Sequence, residues 1–179
     1  MIVTTEPNGL TTPVGFTVLD GAALVAGAAV SSVHIRRLIR PDFAGPGWVI
    51  LLGTFLWVGL TAAGPFIYIV RKHLRHEVGY PGVGDLLWTW LGLPWILTLV
   101  LQADIGAGRG RPHDLLQPVL GAGLALAALV SMFVVWRTWV MVSPDQASRT
   151  FAGPWTNRLG LLLAVAWPLQ CGLGLVVLG

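Results

Sequence analysis

The stretch GPFIYIVRKHLRHEVGYPGVGDLLWTWLGLPW, residues 64 to 95, decides how the chain is read. It leaves one apolar segment through a basic turn carrying Arg71, Lys72, His73, Arg75, His76 and Glu77. It then enters a second apolar segment led by Trp88 and Trp90. Two of the four histidines and both tyrosines fall within it. The same alternation, long apolar spans joined by short Arg-bearing connections, holds on either side. It predicts an all-α, multi-pass helical bundle in a membrane.

Composition leads to the same fold class. The chain has 179 residues, of which 55% are hydrophobic and 11% charged. A soluble domain carries roughly 25% charged residues, which it needs to cover its core. Here apolar runs recur at the length that crosses a hydrocarbon layer of about 30 Å at about 1.5 Å per residue. The net charge of +3 is spread along the flanks of the spans rather than over one face. That pattern belongs to membrane borders and excludes a nucleic-acid surface. Ten arginines stand against one lysine, and Ala, Gly and Leu dominate. Such usage is common in GC-rich bacterial genomes and sets the expectation of a bacterial cytoplasmic membrane. The single cysteine, Cys171, cannot form an internal disulfide and is read as a small packing residue.

Five spans are expected. Residues 1–13 have no Lys or Arg and read as a disordered tail without the positive n-region of a secretory signal. Residues 14–179 form one transmembrane domain. The first span, about 14–35, carries Ala23, Gly27 and Ser31 four residues apart, a ridge that lets helix backbones approach closely. The second runs over about 48–70 and is kinked by Pro65. The third, about 86–103, has Pro94 in its middle and reads as a short crossing, with a re-entrant segment as the alternative. The fourth covers about 115–142 with small residues over 121–128, and the fifth about 159–178.

Five crossings put the ends of the chain on opposite faces. The entry face, where the first span begins, then holds the 71–84 turn and the 143–158 loop. The far face holds the 36–47 and 104–114 loops. Arg71, Lys72, Arg75, Arg137, Arg149 and Arg158 mark the entry face, and Arg36, Arg37, Arg40, Arg109 and Arg111 the far one. Six against five does not orient the chain by the positive-inside rule.

The polar residues within or beside the spans are the functional candidates. Asp20 lies inside the first span, where a charge costs about 2.5–3.5 kcal/mol on insertion scales. Arg137 and Arg158 are its expected partners, in a proton or cation path, a ligand contact or a structural ion pair. A second possibility is that the helix begins near Asp20, which then caps it. His34 and His113 both fall at the far face and could ligate a haem, although Arg36, Arg37, Arg109 and Arg111 surround them. Arg36, Arg37, Arg40, Arg71, Lys72 and Arg75 are expected to contact lipid headgroups.

Motifs of soluble chemistry fail. GAGRGRPHD, residues 106–114, lacks the GK[ST] of a phosphate loop, and His73 and His76 are not spaced as in HExxH. No cofactor or metal is expected. The remaining expectations are three: a scaffold or accessory subunit packing against other membrane proteins or itself, a small-solute or proton transporter using Asp20 and Arg137, and a redox or enzyme component using His34 and His113.

Overall fold

The fold was analysed in a computed structural model that describes residues 15–36, 47–76, 80–106, 116–140 and 153–178. The tail 1–13, Arg37, Arg40, His113 and most of the 104–114 and 143–158 loops lie outside these residues. The described chain is an all-α bundle of five helices: α1 Val18–Ile35, α2 Gly47–Ile69, α3 Val83–Gly106, α4 Leu116–Val140 and α5 Trp155–Leu178. Four of them, α1 to α4, contain stretches long and apolar enough to cross a membrane, which supports a membrane location. α3 runs unbroken through Pro94.

Helix boundaries follow capping rather than hydropathy. α1 starts at Val18, later than the apolar run suggests, because Thr17 is its N-cap and closes a capping box with Asp20. Asp20 therefore sits in the first turn of α1 and not deep within it. α2 gives way after Ile69 to a π-helical turn, Val70–Leu74, closed by the Arg75 N–H donating to the Val70 carbonyl at 3.0 Å. α3 and α5 both begin before their apolar runs, and take Asp85, Thr156, Asn157 and Arg158 into helix.

The packing is set by small residues. α1 lies chiefly on α2, α2 on α3, and α3 on both α4 and α5. Ala23, Gly27 and Ser31 are all buried, and a Cβ on Gly27 would run into the Gly59 carbonyl and the Ala63 backbone. Ser31 Oγ donates to the Phe55 carbonyl across this contact at 2.8 Å. The α3–α5 crossing is as close: a Cβ on Gly84 would strike the Asn157 carbonyl, and one on Gly160 the Gly84 carbonyl. Without a hydrophobic driving force between helices in lipid, such close approach and its dispersion contacts hold the bundle together. The core gathers Ala63, Ile67, Leu87, Trp88, Leu91 and Trp167 around these crossings.

Candidate functional site: a buried ion pair at the entry end

Three helix N-termini, those of α1, α3 and α5, and the end of α2 meet at the entry end of the bundle. Each N-terminus leaves backbone N–H groups without helical partners and carries a partial positive charge. Buried side chains answer both demands. At α1, Thr17 N–H donates to Asp20 Oδ2 at 3.0 Å, and Asp20 N–H donates to Thr17 Oγ1 at 3.3 Å. At α3, Gly82 N–H donates to Asp85 Oδ2 at 2.9 Å. Asn157, from the first turn of α5, accepts the Gly84 N–H on its Oδ1 at 2.7 Å and so ties α5 to α3.

Asp20 is the centre of the site. Arg71 Nε donates to its Oδ1 at 3.1 Å and Arg71 Nη2 to its Oδ2 at 2.9 Å, a bidentate pair. Both side chains are 0% exposed. Arg75 stands by with Nη1 at 4.0 Å from Asp20 Oδ2 and 3.4 Å from Thr17 Oγ1. Aromatic rings close the pair off. The Arg71 guanidinium lies 5.4 Å from the centre of the Trp155 ring, a cation–π distance. Phe16 and Trp88 pack on the same indole at 5.5 Å and 6.1 Å. Trp88 is itself held by its Nε1–H, which donates to the Leu60 carbonyl at 2.7 Å.

The π-helical turn is what brings Arg71 inward. Its wider winding and extra residue re-aim the side chains that follow Val70, and such turns are frequent at functional sites. Arg71, grouped with Lys72 and Arg75 as a headgroup contact on sequence, is thus turned into the bundle, whereas Lys72 stays exposed and Arg75 is 25% exposed. The partners expected for Asp20 are placed elsewhere. Arg137 is exposed near the end of α4, and Arg158 is exposed with its Nε donating to the Gly153 carbonyl at 3.1 Å. Neither is among the residues holding Asp20.

His34 is half-buried, with Nε2 3.0 Å from the Trp95 carbonyl and its ring edge-on to the Trp95 indole. A carbonyl can only accept, so this nitrogen carries the proton and is engaged. Arg36 is exposed at the end of α1. No group of three or more metal-ligating side chains occurs among the described residues.

Sequence reasoning missed the Asp20–Arg71 pair and the roles of Thr17, Asp85 and Asn157. The pattern Thr17-x-x-Asp20 is a readable capping signal. Nothing local announces that Arg71, 51 residues on, is the partner. The site is a buried ion pair with its hydrogen bonds made inside the protein. Chemically it can fix α1 against the end of α2. The chain matches no protein-family model, no curated protein and no solved structure to which it was compared.

Proposed function

We propose that this chain is a small integral scaffold or accessory subunit, and that α4 is the helix it offers to another membrane protein or to a second copy. The observation that carries the reading is the outward surface of α4. Only 11% of its Val119–Arg137 span is buried, against 50% of Trp48–Leu74. Gly121, Ala122 and Ala125 are exposed there, and a Cβ on Gly121 would meet open space. Inside the bundle, small residues at this four-residue spacing let neighbouring helices touch. On α4 the same device, Gly121-x-x-x-Ala125, faces outward beside Leu129, Met132 and Phe133. Lipid needs apolar side chains but has no use for a groove shaped to a backbone. A transport path through Asp20 would first have to break its bidentate pair with Arg71. The bacterial cytoplasmic membrane fits the composition, and α5 is read as a fifth crossing.

The test is extraction from native membranes in mild detergent, followed by native mass spectrometry. A stoichiometric protein partner or a dimer is expected, lost on Gly121→Leu or Ala125→Leu without a fall in thermal stability. A monomer carrying lipid alone overturns the proposal.

A further inference from the structure

A different cluster stands on the outside of the same turn. With Arg71 drawn inward, Lys72 and His73 remain exposed, and both rest on one ring, that of Tyr68 in the last turn of α2. Lys72 Nζ donates to the Tyr68 hydroxyl and lies 5.0 Å from the ring centre. His73 packs edge-on against the ring at 6.3 Å, and the Tyr80 ring approaches from the other side of the turn at 6.0 Å. A lysine ammonium on a free four-carbon stem is mobile. This one is pre-positioned by a hydroxyl and a ring face, so that less rotamer freedom is lost when it binds an anion.

Two surroundings of the cluster name the ligand. The described carboxylates at this end, Asp20 and Asp85, are 0% and 2% exposed and turned to the helix N-termini, so their charge is spent inside. Ile69 and Leu74, at either end of the turn, are 50% and 63% exposed. A cation held over a tyrosine, one turn beyond the bare side chain of Ile69, fits a molecule with an anionic head and apolar tails.

We infer that Lys72, His73 and Tyr68 form a clasp for the phosphate of an anionic phospholipid, whose acyl chains run back along Ile69 towards the α2 span. The lipid, rather than free phosphate or an acidic segment of another protein, is the occupant that uses both the cation and the aliphatic flank. The clasp is independent of the surface on α4.

The experiment reconstitutes the full chain in nanodiscs of phosphatidylcholine with a minor share of phosphatidylglycerol and counts retained lipids by native mass spectrometry. The wild type is expected to retain phosphatidylglycerol preferentially. Lys72→Ala should lower that preference about fivefold, the worth of roughly one lysine at an anionic surface. Tyr68→Phe should lower it less, and Lys72→Arg should keep it. Arg36→Ala, a basic residue at the far end and outside the clasp, should lower it less than Lys72→Ala does. An unaltered preference in Lys72→Ala, or an equal loss in Arg36→Ala, overturns the inference. So does displacement of the lipid by millimolar inorganic phosphate, which would assign the site to the free anion. Loss of preference only when a co-purifying protein is stripped away overturns it as well.

Discussion

The entry end of the bundle and helix α4 use opposite chemistry. At the entry end, two charged side chains are fully buried, and the hydrogen bonds either cap a helix N-terminus or tie one helix to the next. α4 carries almost no charge over its length and leaves most of its surface outside. The polar end spends its chemistry on closing the molecule upon itself. The apolar helix leaves its surface unspent. On the proposed reading, a buried charge is a poor guide to where this protein acts, and a bare helix with small residues in line is a better one.

That contrast is broken most strongly at Arg71. Arg71→Ala leaves the buried Asp20 with only the looser Arg75 contact at 4.0 Å for a counter-charge, and should cost about 3 kcal/mol, read as a large fall in thermal stability in detergent. Adding Asp20→Asn should restore part of the loss, since the two groups act as one. Strict additivity would show that the pair is not coupled. Next comes Gly84→Val, whose side chain meets the Asn157 carbonyl at the α3–α5 crossing. Overpacking there should cost about 1–3 kcal/mol. A neutral result would mean that α5 is not held where the structure places it. Thr17→Ala removes the cap of α1 and should cost about 1 kcal/mol, small beside Arg71→Ala. On α4 the expected effect nearly vanishes. Leu129→Ala should shift stability by no more than about 0.5 kcal/mol, as surface substitutions do. A large loss would show that this face is already packed within the chain.

Much of the fold was legible because the membrane imposes a length and a polarity on every crossing. The ridge Ala23, Gly27, Ser31 could be read from spacing alone, and it is buried against α2 as that spacing implies. Boundaries were less legible. Followed by hydropathy alone, the apolar run of the last helix opens only at Leu159, yet α5 begins at Trp155. Thr156 and Asn157 are polar but buried, with Asn157 bonded to Gly84, so a scale that prices them against lipid stops too soon. Within the site, Asp20 stood out as a charge inside a span. Its partner did not, because the π-helical turn that carries Arg71 leaves no signature in sequence. Asp85 was visible only as the edge of a span. Its reach back to the Gly82 N–H belongs to the geometry of the first helical turn.

The most direct test of the division between a self-closed end and an offered helix is photo-crosslinking in native membranes, with a benzophenone side chain at Ala125 on α4 and, as a control, in place of the core indole of Trp167. The account predicts a discrete protein adduct from position 125 and only intramolecular products from position 167. Lipid adducts alone from position 125 would contradict it, and α4 would then be a helix that faces nothing but the bilayer.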